Sequence, residues 1–143
     1  MDKTILLVDD DVSVRHSICR LLHGEGFHVV AAANGADALQ IVEKEQVDLV
    51  MLDLNLPVKN GWETFQQLSS QKPLIPVIII TARSNQLFQA LAAGAGALME
   101  KPLEFPKLLR TARELMAEPE EVRLARTAGK QSEFHYLPAH SGA

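Results

Sequence analysis

The chain has 143 residues, of which 47% are hydrophobic, and this length predicts one domain that buries an apolar core without an internal disulfide, since Cys19 is the single cysteine. The formal net charge of −4 at pH 7 gives no basic field that would hold a nucleic-acid backbone, so direct DNA binding is not expected. The first apolar run is too short for a signal peptide or a membrane span, which favours a cytoplasmic protein with no membrane contact.

Five short apolar runs alternate with segments in which Leu, Ile, Val and Ala recur at helical spacing. The predicted strands are residues 5–8, 27–31, 49–52, 77–80 and 97–99. The predicted helices that follow them are residues 13–23, 36–45, 62–70, 85–93 and 104–116. Because the runs are apolar almost throughout, they are typical of strands covered on both faces. The alternation therefore predicts an open, doubly wound α/β fold with a parallel sheet of five strands.

Glycine, serine and proline residues indicate where several of the predicted helices begin or end. Gly24 and Gly94 stand where C-terminal caps are expected, and Ser13 and Ser84 stand where N-terminal caps are expected. Pro106 falls in the first turn of the last predicted helix, where its missing N–H costs little. The strand and helix pattern is therefore bounded by residues of the expected types.

The alternation stops after residue 117. Proline and glycine are scattered there among charged and small residues, so residues 118–143 are predicted to form a tail. A short helix over residues 120–127 is the one regular element that its pattern suggests. The sequence leaves open whether this tail is a docking peptide, a linker or a disordered segment.

Polar residues follow four of the five apolar runs, at the points where the predicted strands end. Because the carboxyl ends of parallel strands open on one crevice, these side chains are expected to converge there. In chain order they are Asp9, Asp10, Asp11, Asp53, Thr81 and Lys101.

Carboxylates that are brought together repel each other, and a hard divalent cation with oxygen ligands relieves the repulsion. Mg²⁺ is the predicted occupant, because it binds through one or two carboxylates and leaves room for a phosphate oxygen. Asp53 can then act as a nucleophile toward a phosphoryl donor. Lys101 would supply a second cation, and the Thr81 hydroxyl would hydrogen-bond a phosphoryl oxygen. We expect Asp11 to cap the first helix or to tune the electrostatic field of the metal.

The pattern resembles the receiver domain of bacterial two-component response regulators, over residues 3 to about 116. This resemblance implies a flavodoxin-like (βα)5 fold with strand order 2-1-3-4-5, and it makes residues 1–117 the receiver domain. The motifs that carry it are Leu7-Val8-Asp9-Asp10-Asp11, Asp53-Leu54-Asn55-Leu56-Pro57, Asn60-Gly61, Thr81-Ala82 and Lys101-Pro102.

The resemblance also implies a role for each site residue. Asp9 and Asp10 would bind Mg²⁺, with Asp10 the expected direct ligand, together with Asp53 and the backbone carbonyl of Asn55. Asp53 would be the phosphoacceptor, with Thr81 and Lys101 assisting. The family's lysine–proline bond is typically cis, so the bond from Lys101 to Pro102 is expected to be cis.

A receiver is a signalling switch, so no enzymatic activity is expected. A sensor histidine kinase or a histidine phosphotransfer protein would supply the phosphoryl group, and the altered surface would change a contact with a downstream protein target. The sequence leaves open a phosphorylation-dependent dimer.

Two alternatives compete with the receiver interpretation. A small flavodoxin-like enzyme or nucleotide-binding protein could use the same crevice, but the chain has neither a G-x-x-x-x-G-K-[ST] nor a G-x-G-x-x-G motif. A degenerate receiver could serve only as an interaction module. The intact set of Asp10, Asp53, Thr81 and Lys101 argues against that.

Two positions bear on how such a switch would work. Many receivers carry an aromatic residue three positions before the lysine, where this chain has Leu98. We therefore expect the switch to act through helix displacement, with Phe88 and Leu98 as contact residues, unless both simply pack in the core or at a permanent interface. In the family, the residues at Asn55 and Arg83 flank the path of the hydrolytic water, and Arg83 is expected to slow dephosphorylation.

Overall fold

The computed structural model describes residues 2–56, 61–83, 85–128 and 134–139. Strands and helices alternate through the first five pairs, and one helix and one strand follow. In chain order the elements are β1 (Thr4–Val8), α1 (Val12–Gly24), β2 (His28–Ala32), α2 (Gly35–Lys44), β3 (Leu49–Asp53), α3 (Gly61–Gln71), β4 (Val77–Thr81), α4 (Leu87–Ala93), β5 (Ala97–Glu100), α5 (Phe105–Ala117), α6 (Glu120–Thr127) and β6 (His135–Leu137).

The strands form one parallel sheet in the order β2-β1-β3-β4-β5-β6. The first five strands have the predicted order, and the doubly wound α/β fold is confirmed. The sheet has six strands rather than five, because residues 135–137 add a strand beside β5. Three residues are too few to give a period-two pattern, and this strand depends on the β5 backbone for its hydrogen bonds. It was therefore not predicted.

The inner strands of the sheet are buried on both faces, as the continuous apolar runs predict, whereas the edge strands β2 and β6 are partly exposed. Successive side chains of a strand point to opposite faces. Along β1, Ile5 and Leu7 belong to one apolar cluster, and Leu6 and Val8 belong to the other. Because both faces are covered by apolar residues, water reaches the sheet mainly at its edges and at the strand ends, where the polar side chains lie.

The helix ends agree with the predictions in part. Asp11 is the N-cap of α1, and its side chain accepts a hydrogen bond from the N–H of Val14 at 3.1 Å, so the capping role expected for Asp11 is confirmed. Ser13 is already inside the helix, and its predicted cap is wrong. Gly94 is the left-handed C-cap of α4, with a φ of 85°, as predicted.

Three other predicted boundaries have different outcomes. Gly24 is the last residue of α1 rather than its cap, and the left-handed turn falls on Gly26, with a φ of 93°. Pro106 lies in the first turn of α5, as predicted. Ser84 lies outside the described residues.

Gly61 begins α3 at a point where the helix touches the loop after β3. Its N–H donates to the carbonyl of Leu54 at 3.1 Å. A Cβ at Gly61 would lie 2.3 Å from the Cα of Leu54, which a side chain cannot do without moving the backbone. Glycine therefore allows the helix to hold the chain directly after Asp53.

Helix α6 spans the residues at which a short helix was suggested, and it is fastened to the end of α5. Arg126 donates two hydrogen bonds to the carboxylate of Glu118, at 2.9 and 2.6 Å. Arg123 donates to the carbonyls of Leu115 and Met116, in the last turn of α5. Of the helices that the structure describes, none is long and apolar enough to cross a membrane.

Candidate functional site

Three acids meet at the carboxyl edge of the sheet. Asp9 directly follows β1, and Asp53 is the last residue of β3. Ligand oxygens from Asp9, Asp10 and Asp53 all lie within 4.8 Å of one another. The convergence predicted from the strand ends is therefore present.

Asp53 is almost fully buried, with 2% of its surface exposed. Its Oδ1 accepts a hydrogen bond from the N–H of Asn55 at 2.9 Å. Its Oδ2 accepts one from Lys101 Nζ at 2.7 Å. The carboxylate is thus oriented on one side by the backbone and on the other by a cation.

Asp9 is equally buried, with 1% exposed, and only one of its oxygens is satisfied. Oδ1 accepts from the N–H of Asp11 at 2.9 Å. Within the described part of the chain, Oδ2 has no hydrogen-bond partner, although Lys101 Nζ lies 4.0 Å away. Burial raises the pKa of Asp9 from 3.8 to about 6; the Asp11 hydrogen bond opposes this and the charge of Asp53 adds to it.

These residues fit Mg²⁺. The cluster offers only oxygen ligands, which that ion prefers, and a buried carboxylate oxygen without a partner is a position that a cation would satisfy. Asp10 is exposed at the mouth of the crevice, and Asp11 is not part of the cluster, because its side chain caps α1. Asn55 is exposed beside Asp53, and its carbonyl stays a predicted ligand.

Arg15 was missed by the sequence reasoning. Its guanidinium donates to the backbone carbonyl of Asp9 at 2.7 Å, from the first turn of α1. This contact ties the turn after β1 to the helix and so holds the Asp9 backbone in place. An arginine shortly after an acidic run was the only signal for it in the sequence, and such a residue is usually solvated.

Lys101 is half-buried at the end of β5. Burial alone would lower the pKa of its ammonium, but the hydrogen bond and charge of Asp53, with the charges of Asp9 and Asp10, raise that pKa above its usual value. Lys101 is therefore a cation at neutral pH. Its peptide bond to Pro102 is cis, as predicted.

Thr81 ends β4 one position beyond the residue that pairs with Asp53. It is buried, and its hydroxyl oxygen accepts a hydrogen bond from the N–H of Arg83 at 3.0 Å. Its carbonyl accepts from the N–H of Lys101 at 2.8 Å, which links the ends of β4 and β5. The hydroxyl proton remains available to a phosphoryl oxygen.

The two proposed contact residues differ in exposure. Phe88 on α4 has 86% of its surface exposed, which a contact residue requires. Leu98 on β5 is fully buried, so its role as a surface contact is wrong, and for this residue the alternative of packing in the core is confirmed. The reason is that the unpredicted β6 pairs Tyr136 with Leu98, and the helices cover the face to which the leucine side chain points.

Comparison with known proteins gives the same assignment as the geometry. The family model described as "Response regulator receiver domain" matches residues 5–113. The chain is 40% identical over 115 residues to the transcriptional regulatory protein ZraR of Klebsiella oxytoca, covering 79% of this chain and 26% of that protein. It is 36% identical over 118 residues to the response regulator MprA of Mycolicibacterium vanbaalenii, covering 81% of this chain and 51% of that protein. The chain thus spans about a quarter to a half of these relatives.

Solved structures agree. A response regulator receiver domain protein (CheY-like) from Methanospirillum hungatei JF-1 superposes with a TM-score of 0.80 at 31% identity, covering 85% of this chain and 98% of that one. The response regulator TrrA from Thermotoga maritima, crystallised in complex with Mg²⁺ and BeF, superposes with a TM-score of 0.74 at 29% identity, covering 79% of this chain and 98% of that one. On the family match, the fold and the site together, the chain belongs to the response regulator receiver domain family.

Proposed function

We propose that this receiver takes a phosphoryl group on Asp53 in a Mg²⁺-dependent reaction and thereby switches protein–protein contacts. The observation that carries the proposal is the environment of Asp53. A buried carboxylate lies 2.7 Å from a lysine ammonium and within 4.8 Å of two further acids. Such a group can accept a phosphoryl group once cations neutralise the incoming charge.

In the reaction, an Asp53 oxygen attacks the phosphorus of a phosphohistidine on the donor. The new O–P bond forms as the N–P bond breaks, and the electron pair leaves with the imidazole nitrogen of the donor. Lys101 pairs with the charge on the phosphoryl oxygens, and the Thr81 hydroxyl donates to one of them. Mg²⁺, when bound, neutralises phosphoryl charge, and the carboxylates of Asp9, Asp10 and Asp53 with the Asn55 carbonyl would hold it.

An apolar groove of about 400 Å³ beside Lys101 supports a protein donor. It runs between α1 and the start of α5, and the exposed Leu21 is part of its lining. A helix of a sensor histidine kinase or phosphotransfer protein that filled this groove would lie next to the phosphorylation site. The groove is lined by Val14, Ile18, Leu21, Pro102 and Phe105, among others.

The output is a contact with a downstream protein. The net charge of −4 and the exposed Phe88 on α4 support a protein target rather than DNA, although two relatives are named as regulators of transcription or response. The division into a receiver over residues 1–117 and a tail over residues 118–143, the cytoplasmic location and the absence of enzymatic turnover are part of this proposal. A phosphorylation-dependent dimer stays open.

Intact-mass spectrometry tests the proposal. With Mg²⁺ and acetyl phosphate, the chain should gain one phosphoryl mass that hydroxylamine removes, and Asp53→Asn should gain none. Asp48→Asn is the matched control, because Asp48 is a partly buried carboxylate at the opposite end of β3. Equal labelling of Asp53→Asn and the unchanged chain would contradict the assignment.

A further inference from the structure

The edge of β5 is covered by a segment of the chain itself. Residues 134–139, here called the tail strand, contain β6, which pairs with β5 in parallel register. Tyr136 lies opposite Leu98, and the N–H of His135 donates to the carbonyl of Gly96 at 3.2 Å. Main-chain pairing of this kind is how extended peptides bind to open sheet edges.

Glu100 anchors the tail strand with both of its oxygens. Oε2 accepts a hydrogen bond from the Tyr136 hydroxyl at 3.1 Å, and Oε1 accepts from the N–H of Ala139 at 3.2 Å. Glu100 is 8% exposed, and within the described residues no lysine or arginine forms an ion pair with it. A second contact joins His135 Nδ1 to Glu114 on α5 at 3.4 Å.

A buried carboxylate without a cation needs hydrogen-bond donors. The tail strand supplies two of them to Glu100, one hydroxyl and one main-chain N–H. Any segment that replaced the tail strand would have to supply the same pair. The ligand that Glu100 recognises is therefore an extended peptide. It carries a tyrosine hydroxyl and, three residues after that tyrosine, a main-chain N–H that is free to donate.

Glu100 also lies between two residues of the phosphorylation site. It pairs with Thr81 across β4 and β5, and it directly precedes Lys101. The N–H of Lys101 donates to the Thr81 carbonyl at 2.8 Å, and Lys101 Nζ is held by Asp53. A phosphoryl group on Asp53 would draw the Lys101 ammonium toward it, and Lys101 directly follows the residue that anchors the tail strand.

We propose that the β5 edge is a strand-binding surface that the tail strand holds in the unphosphorylated chain and releases when Asp53 is phosphorylated, to an extended segment of the downstream protein that satisfies Glu100 in the same way and makes further contacts with the phosphorylated chain. This inference rests on the proposed function. It assigns Glu100 as the recognition residue of that surface and makes the tail strand an internal competitor of the partner.

Residue-resolved amide exchange on the full chain tests the release. With Mg²⁺ and beryllofluoride, the amides of His135 and Ala139 should exchange about tenfold faster than in the untreated chain, while amides of β1 stay protected. Fluorine NMR on the same sample reports whether beryllofluoride is bound. A bound mimic with unchanged tail exchange would overturn this inference alone, whereas absence of a bound mimic would overturn the proposed function and this inference with it.

A peptide experiment tests the surface itself. A fluorescent peptide of residues 134–139 should bind the chain that carries Tyr136→Phe about tenfold more tightly than the unchanged chain, as judged by fluorescence anisotropy, because the weakened tail strand competes less for the β5 edge. The same peptide with Tyr136→Phe should bind about tenfold more weakly than the unchanged peptide, because Glu100 loses a donor. In the protein, Glu100→Gln should reduce the difference between the two peptides, and Glu43→Gln, on α2, should not. Equal binding of both peptides to the Tyr136→Phe chain, or binding of neither, would overturn the proposal.

Discussion

Asp53 and Lys101, which are 48 residues apart in sequence, are joined by a hydrogen bond of 2.7 Å between Oδ2 and Nζ. The lysine is held there before any phosphoryl group arrives, so its charge is already in position for the reaction. Such preorganised charge lowers the barrier without reorganisation during the step. The same contact ties the end of β5 to the nucleophile.

The first prediction follows from this pair. Lys101→Ala should slow phosphorylation by acetyl phosphate about 100-fold or more, because charge on the phosphoryl oxygens loses its protein cation. Lys101→Arg should retain part of the rate. Lys107→Ala is the control, because Lys107 pairs with Glu104 on the surface of α5. Labelling rates from a mass-spectrometric time course check this, and an unchanged rate in Lys101→Ala would assign the lysine a purely structural role.

The second prediction concerns pH and Asp9 in the chain without metal. Because the folded-state pKa of Asp9, about 6, is above its ordinary value of 3.8, the folded chain binds the proton more tightly than the unfolded chain. Stability from this group is therefore fully present below about pH 4 and is lost as the pH rises through 6. Asp9→Asn cannot ionise, so it should be more stable than the unchanged chain at pH 7, by about 1–3 kcal/mol.

Urea unfolding in EDTA at pH 4 and pH 7 measures this effect. The gain from Asp9→Asn should shrink toward zero at pH 4, where Asp9 is mostly protonated. Asp2→Asn, an exposed acid, is the control. A gain that is larger at pH 4 than at pH 7 would show that burial does not penalise the Asp9 carboxylate.

The third prediction concerns Gly61. Gly61→Ala should lower the free energy of unfolding by about 2 kcal/mol or more, because its Cβ would lie 2.3 Å from the backbone of Leu54. Gly24→Ala is a matched control, since nothing lies within 4 Å of its added Cβ and alanine favours the helix end. Unfolding curves in urea compare the two. A neutral Gly61→Ala would show that α3 shifts at little cost.

The fourth prediction concerns the lifetime of the phosphorylated state. Arg83 is exposed two residues after Thr81, the last residue of β4, and its N–H donates a hydrogen bond to the threonine hydroxyl oxygen. Its guanidinium can pair with a phosphoryl group and shield it from water. Arg83→Glu should therefore raise the rate of self-dephosphorylation roughly threefold to tenfold, and Arg83→Lys should change it less. Loss of phosphoryl mass over time gives the rates, and a slower Arg83→Glu would contradict the shielding.

The sequence predicts the residues of the site more completely than the contacts that surround them. Asp9, Asp53, Thr81 and Lys101 each end or follow an apolar run, and a parallel sheet brings such residues to one edge whatever the details of the loops. The strand order for the first five strands and the cis Lys101–Pro102 bond came from the family resemblance, and both are present.

What the sequence could not show depends on contacts between distant segments. The tail strand is recognisable only beside β5, because three residues carry no periodic signal of their own. The burial of Leu98 follows from that added strand and from helix packing, and the Arg15 contact depends on the direction of one side chain. These features depend on how the folded chain brings distant residues together.

Borohydride trapping tests the central claim most directly. An aspartyl phosphate is reduced by borohydride to homoserine, so the chain treated with acetyl phosphate and Mg²⁺ is reduced, digested and sequenced by tandem mass spectrometry. The account predicts homoserine at position 53 and aspartate at positions 9, 10 and 11, with no conversion when Mg²⁺ is chelated. Homoserine at another acid of the cluster, with residue 53 unchanged, would contradict it.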